Sequence, residues 1–365
     1  MTPRRILLCL DKFKGSLTAE EATAALRRGL LSRDPDLGIE DMPVADGGDG
    51  TLDVFLARGY RAVDVTVTGP RGDEVESVIA VDGTTAVVET ARTSGLVMMG
   101  ERPLDPLGAT SRGVGDAIRA SLDAGAQRII LGLGGSATTD GGAGMLQALG
   151  ARLLDSAGRD LGPGGGVLGG LAAVDLSGLD PRLADADVVL ASDVTNPLTG
   201  PSGAAAVYGP QKGASEADVE TLDAGLARLG ELLDPNAMDR PGAGAAGGIG
   251  YAALAALGAQ FRPGIEIVLE ALGAREAMAR ADLVITGEGR LDEQSLQGKA
   301  PSGVLDLAAS LGVPVTAVCG LNELGPDGHG FTAVYALADI APDAETSMRE
   351  AARLLEELGA RLDLG

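Results

Sequence analysis

The chain has no tryptophan, aromatic residues make up only 2% of it, and it carries a single histidine among 365 residues. Base-stacking platforms for nucleic acid therefore have almost nothing to be built from. Histidine-centred triads and His-ligated zinc sites are equally short of parts. His329, in "GPDGHGF", reads as an exposed loop residue. Cys9 and Cys319 each lie in a strand-like apolar run and read as buried thiols rather than a disulfide framework. Positive charge is scarce, with 29 Lys and Arg against 52 Asp and Glu and a net charge of −23. Such a surface repels DNA and RNA phosphates, so no nucleic-acid partner is expected. No apolar run reaches bilayer length, and the one in "MTPRRILLCLDKF" is short for a signal peptide. No membrane partner and a cytoplasmic location are the expectations.

Glycine is what the chain has in excess, 56 of 365 residues, about twice the usual share. The excess lies in discrete loops, which excludes a collagen-like repeat. Residues 4–10, "RRILLCL", read as a buried strand. A helix follows over 18–32, with Thr18 and Glu21 as a capping box. A strand near 39–44 leads through "ADGGDGT" into another helix, a βαβ rhythm that predicts parallel strands. Residues 61–91 alternate apolar and polar residues around turns at Gly69-Pro70 and Asp82-Gly83, the pattern of an antiparallel meander. Helix, strand, glycine loop and helix follow over 111–150, a strand over 187–193, and helices near 215–233, 247–258 and 264–273. The βα rhythm returns after 282. The expected fold is α/β with two α/β domains. A Rossmann-like parallel-sheet domain is built from both termini, 1–65 plus 280–365. An inserted mixed α/β domain, 66–279, carries the glycine-rich loop, and a cleft is expected between the two.

Nearly every predicted buried strand runs into a glycine-bearing polar loop: "DKFKGS", "ADGGDGT", "GLGGSATTDGG", "SDVTNPLTG" and "TGEGRLDEQSLQGK". Ligands of open parallel sheets bind outside the carboxyl ends of the strands. Against 25 arginines there are four lysines, Lys12, Lys14, Lys212 and Lys299, all in or beside such loops. Lysine is a compact point charge that can follow a moving phosphoryl group. Six glycines fall between Gly132 and Gly144, mixed with Ser136, Thr138, Thr139 and Asp140. No Gly-Lys-Ser/Thr ends this loop, so it is not a P-loop. It nevertheless follows a strand and precedes a helix, where backbone amides can gather on an anion. Asp140 reads either as the cap of the next helix or as a carboxylate near a metal. Asp46 and Asp49 suit a turn and cap, or magnesium. Asp193, at a strand end beside Asn196, is a common position for a catalytic base. Glu288, Arg290 and Asp292 share one loop in which at least one ion pair is expected. With its one histidine read as an exposed loop residue, the base must be a carboxylate, which suits phosphoryl transfer, where positioning and charge neutralisation carry the reaction.

The segments "DKFKGSLTAEEA" (11–22), "PVADGGDGT" (43–51), "GLGGSATTDGGAGMLQALGA" (132–151), "SDVTNPLTGPSGAAAVYGPQKGA" (192–214), "GAGAAGGIGYAAL" (242–254) and "ADLVITGEGRLDEQSLQGKAP" (281–301) together resemble the type I glycerate kinases. The resemblance covers essentially the whole chain, in the family's order. It implies ATP-dependent phosphorylation of D-glycerate with Mg²⁺ by a two-domain α/β protein with its active cleft between domains. The 2-phosphate is favoured over the 3-phosphate as product. Individual roles are expectations drawn from the residues themselves. Gly132, Gly134, Gly135, Ser136, Thr138, Thr139 and Asp140 cradle the ATP phosphates. Asp49 and Asp193, with Asp46 as a further candidate, hold Mg²⁺. Lys12, Lys14 and Ser16 receive the glycerate carboxylate or the moving phosphoryl group. Arg290 clamps the carboxylate and Lys299 neutralises phosphate charge. Asp193 is the first choice as proton acceptor and Asp46 the second, so the catalytic set is Asp193, Asp46 and Lys14. A homodimer is compatible with these expectations. The alternatives are a kinase of another small hydroxy acid and a non-catalytic small-anion sensor.

Overall fold

The computed structural model describes residues 4–296, 298–325 and 328–364. In chain order the elements begin with β1 (Arg5–Leu10), α1 (Ala19–Arg33), β2 (Gly38–Asp41), α2 (Thr51–Ala57), β3 (Arg61–Thr68), β4 (Glu74–Asp82) and β5 (Thr85–Glu89). Then come α3 (Arg112–Asp123), β6 (Arg128–Gly132), α4 (Ala143–Ala148), β7 (Arg152–Leu154), β8 (Ala173–Asp175), β9 (Asp187–Ala191), α5 (Ala204–Tyr208), α6 (Glu216–Leu233) and α7 (Ile249–Ala256). The last are β10 (Gln260–Arg262), α8 (Gly264–Ala271), α9 (Ala274–Met278), β11 (Leu283–Leu291), α10 (Ala300–Ser310), β12 (Val315–Asn322), β13 (Ala333–Ala336), α11 (Ala344–Arg349) and α12 (Ala351–Gly359).

The chain divides into two compact units, Met1–Asp46 with Pro263–Gly365, and Gly47–Arg262. The sequence reading draws these seams at 65/66 and 279/280. On the amino-terminal side α2 packs on β4 and β5 of the second unit, burying Leu52 and Phe55. On the carboxyl-terminal side α8 packs on α10 of the first, where Gly303 lies close against Ile265.

In the unit made from both termini, five parallel strands run in the order β13-β12-β11-β1-β2. The apolar runs of β1, β11 and β12 are what a sheet covered on both faces requires. The capping box that starts α1 is formed, with the Glu21 amide donating to Thr18 Oγ1 at 3.2 Å and the Thr18 amide to Glu21 Oε2 at 2.9 Å. Its apolar stripe, Ala22, Ala25, Leu26 and Leu30, is buried with Ile6, Leu8, Leu10 and the α12 residues Leu354, Leu355 and Leu358. The α1–α12 crossing is close because two glycines face each other, Gly29 and Gly359.

The other unit holds a six-stranded sheet in the order β10-β9-β6-β5-β4-β3, and β7-β8 form a separate antiparallel pair. β3, β4 and β5 are the antiparallel meander, whereas β5-β6, β6-β9 and β9-β10 pair in parallel. Its core gathers Ile79, Val88, Ile129, Leu131 and Leu190 from the sheet with Ile118, Leu146, Leu226 and Ile249 from the helices. Cys9 and Cys319 are buried thiols on different strands. Among the described residues no helix is long and apolar enough to cross a membrane.

Candidate active site

In the second unit, loops singled out by the sequence gather at the carboxyl ends of β5, β6 and β9. β6 and β9 pair as far as Gly132 opposite Ala191, so the glycine loop and the Asp193 loop leave adjacent strand tips. The glycines of the loop divide by neighbour. A Cβ on Gly134 would come within 2.5 Å of Gly48 Cα, and one on Gly135, where φ is +68°, within 2.1 Å of Asp49 Oδ1. "ADGGDGT" and "LGLGGSATTDGG" are thus packed together, with Asp49 over Gly135. The later glycines, Gly141, Gly142 and Gly144, press instead on Leu229, Ala252 and Thr110. Their smallness serves packing.

Asp140 realises the capping alternative. Fully buried, its carboxylate accepts hydrogen bonds from the Ser111 amide (2.8 Å), Ser111 Oγ (2.9 Å), the Gly142 amide (3.1 Å) and the Gly144 amide (3.2 Å). Burial raises its pKa, and those four donors oppose the shift. The amides at the start of α4 are therefore taken by the protein. The amide donors at the start of α2 are taken in the same way. Glu89, buried at the end of β5, accepts from the Gly50 amide at 3.0 Å and the Leu52 amide at 2.8 Å. That is the capping role the sequence offered to Asp49.

What remains for a ligand is polar. Thr138 Oγ1 and Thr139 Oγ1 are buried with no hydrogen-bond partner among the described residues, as are Thr90 Oγ1 and Ser94 Oγ on the neighbouring segment. That segment is tied to the loop by Leu96 N to Gly135 O (2.8 Å) and Ala137 N to Ser94 O (2.9 Å). Lys212 is buried, and its Nζ donates to Ser136 Oγ at 2.9 Å and Thr138 O at 2.6 Å. Asp193 is half-buried two residues beyond β9. Asn196 beside it is pinned, accepting from Tyr208 OH at 2.8 Å and donating to Ser202 O at 2.8 Å.

In the first unit the tips of β1, β11 and the segment after β2 come together. Phe13–Leu17 is a tight turn with Gly15 at φ +80°, and it leaves Lys14 exposed with Lys12 and Ser16 half-buried. Gly289 lies under this turn, where a Cβ would stand 3.0 Å from Lys14 N. The expected loop at 288–292 is mostly strand. β11 continues to Leu291 because β12 extends beside it, pairing Arg290 with Leu321. Arg290 pairs at 2.7 Å with Glu323, outside the cluster of its own segment, and both partners are exposed. Lys299 occupies the N-cap position of α10 without a side-chain capping hydrogen bond.

The same tips carry an acidic group of Asp11, Asp46 and Glu288. Asp11 is only 5% exposed. Burial pushes its carboxyl up to about 7, with Asp46 and Glu288 adding and Lys12 opposing. Burial likewise raises Glu288, with Ser295 and Lys299 opposing and Asp46 and Asp292 adding. Among the described residues Glu288 Oε1 is buried without a hydrogen-bond partner.

Sequence reasoning gave no role to Asp11 or Glu89, named Glu288 only as a candidate for an ion pair, and named Lys212 only as one of four lysines. The lysine count is the signal that could have marked Lys212. Among the described residues no group of three or more His, Cys, Asp and Glu side chains is arranged to hold a metal ion alone. Mg²⁺ in phosphate sites needs only one or two carboxylates, with phosphate oxygens and waters filling the rest.

The sequence profile of the glycerate kinase family matches residues 6–363. The chain belongs to the glycerate kinase family. It is 45% identical to the glycerate kinase of Bacillus subtilis (strain 168) over 362 residues, 96% of this chain and 95% of that one. It is 46% identical to the glycerate 2-kinase of Escherichia coli (strain K12) over 343 residues, 91% and 90% of the two chains. A crystal structure provisionally assigned as glycerate kinase 2 of Salmonella typhimurium LT2 superposes with a TM-score of 0.86 at 43% identity, covering 98% of this chain and 97% of that chain. Membership of this family makes the chain an enzyme, a phosphotransferase with an alcohol group as acceptor and ATP as donor.

Proposed function

We propose that the protein transfers the γ-phosphoryl group of ATP to D-glycerate and releases 2-phosphoglycerate. The observation that carries this reading is the loop at the tip of β6. It has a buried ammonium, buried hydroxyls without partners among the described residues and glycines that pack under Asp49. Gly132, Gly134, Gly135, Ser136, Thr138 and Thr139 cradle the nucleotide phosphates, and Asp140 is left to its capping role. Asp49 is the first choice for a Mg²⁺ ligand and Asp193 the second, and the ion would neutralise phosphate charge there. A carboxylate bound to Mg²⁺ is a poorer base, so Asp193 is assigned to the proton of the glycerate hydroxyl, with Asp46 in reserve.

In the other unit Lys12, Lys14 and Ser16 receive the glycerate carboxylate or the moving phosphoryl group. Arg290 can exchange Glu323 for that carboxylate cheaply, since an exposed pair is worth about 0–1 kcal/mol. Lys299 is assigned to the neutralisation of phosphate charge. The name carried by the E. coli relative supports the 2-phosphate.

Coupling the reaction to enolase without phosphoglycerate mutase tests the product. Signal is expected directly, and signal only after mutase is added means the 3-phosphate. A panel of small hydroxy acids tests the acceptor. Lys14→Ala is expected to lower kcat/KM by at least about 100-fold, as loss of a transition-state charge contact does, with an unchanged melting temperature. Asp193→Asn is expected to cut turnover while ATP still binds. Normal turnover moves the base elsewhere.

A further inference from the structure

Of the four lysines, Lys212 is the buried one, at 3% exposure. An ammonium taken out of water is costly unless it is paired with opposite charge. Lys212 reaches the glycine loop from a short turn, Pro210–Lys212, that follows α5. Two of its three N–H donors are used, on Ser136 Oγ and Thr138 O. Neither acceptor carries a charge, and no carboxylate pairs with Lys212 among the described residues. The nearest opposing field is that of Asp140, whose carboxylate is already filled by four donors. Burial correspondingly pushes the Lys212 ammonium down to about 7, with Asp140 opposing. The segment it holds also carries the two unpartnered hydroxyls of Thr138 and Thr139. Methionine at 212 and valine at 138 or 139 would fill similar volumes without these penalties. The uncompensated groups are explained by a ligand that brings negative oxygen.

We propose that Lys212 is the counter-ion of a phosphate group bound on the loop 132–139, so that its charge is paired only when the ligand is present. The assignment rests on the reading of this loop as the nucleotide-phosphate cradle. It goes beyond that reading by naming a residue 76 positions away in sequence as the ammonium that meets the phosphate. Inorganic tripolyphosphate carries the recognised chemistry without the nucleoside, and adenosine carries the nucleoside without the phosphates.

The test is calorimetric titration of the full chain with ATP, tripolyphosphate and adenosine, for wild type, Lys212→Met and Lys212→Gln. Each protein is measured well below its own melting temperature. The glutamine amide can still donate to Ser136 and Thr138, so this variant removes the charge and keeps donors in place should the methionine variant fail to fold. Wild type is expected to bind ATP and tripolyphosphate and to phosphorylate glycerate. Both variants are expected to lose about 10- to 100-fold in affinity for ATP and for tripolyphosphate, the worth of a charge-assisted hydrogen bond. Adenosine is expected to bind the folded variants as it binds wild type. Lys212→Arg, which keeps the charge, is expected to recover part of the loss. If the neutral variants melt lower yet bind both phosphates within twofold of wild type, Lys212 is only a brace for the loop and the proposal is overturned. If wild type turns over glycerate but does not bind tripolyphosphate, the proposal also falls. A wild type that neither binds phosphates nor phosphorylates glycerate overturns the kinase reading itself.

Discussion

Asp140 shows at the residue scale why a single position could be read two ways. Its sequence neighbourhood fits a helix cap and a metal carboxylate equally well. The donor that decides between them is Ser111, 29 residues upstream. Replacing Asp140 by alanine strands several buried donors at two helix starts. A loss of about 1–3 kcal/mol for each buried donor left unsatisfied is expected, read as a lower urea midpoint with an unchanged slope. Lys212 was opaque for the same reason, because its acceptors lie 76 and 74 residues away. Glu89 was opaque too, since it caps a helix whose first amides are 39 and 37 residues distant. The lysines and hydroxyls of the loops could be recognised by type. Which of them are buried together could not. Asp11 leads to a prediction about pH. Its carboxyl is raised from 3.8 to about 7 in the folded protein, so between those values the folded state holds a proton that the unfolded chain has released. The contribution to stability is complete below pH 4 and is lost as pH rises through 7, by at most about 1.4 kcal/mol per unit. In ligand-free, metal-free buffer Asp11→Asn is expected to flatten that part of the stability profile and to be the more stable form at pH 8. An unchanged profile would mean that Asp11 is ionised throughout.

At the scale of elements, what could be read was whatever a periodic pattern carries by itself. The unbroken apolar run of β1, the capping box and stripe of α1 and the alternation of the meander needed no distant partner to be recognised. The end of β11 did need one. "GEGRL" reads as a loop on its own composition, and it is strand only because Leu321 and Asn322 of β12 extend alongside. The seam before α2 was hidden in the same way, since the helix declares its unit by what it packs on. Helix crossings carry a comparable hidden constraint at Gly29. A Cβ there would lie 2.0 Å from the carbonyl oxygen of Glu356 in α12. Gly29→Ala is expected to cost about 1–3 kcal/mol through forced separation of α1 and α12, despite alanine's better helix propensity. A lower melting temperature checks this, and a stabilised variant would show that the crossing relaxes freely.

For the whole molecule, the two units differ in how they can form. Residues 47–262 are continuous, and their own ends emerge at neighbouring points of one sheet edge. Gly47 lies beside Gly132, Gly132 is opposite Ala191, and Ala191 is opposite Arg262. Folding of this unit therefore gathers the two flanking segments. The sheet of the other unit requires Ile6 to find Leu283, 277 residues later. Closing a flexible loop of that length would cost about 5 kcal/mol. Pulse-labelled hydrogen exchange during refolding is expected to protect amides of β6 and β9 before those of β1 and β11. The opposite order would mean that the terminal unit nucleates first. On the ribosome the same topology imposes a wait. At about 5–20 residues per second, "RILLCL" leaves the exit tunnel on the order of 10–60 s before the strand that will cover one of its edges has been translated. The edge of β1 that faces β11 is thus among the last to be sheltered, and nascent chains stalled before residue 283 should be those that chaperones hold longest.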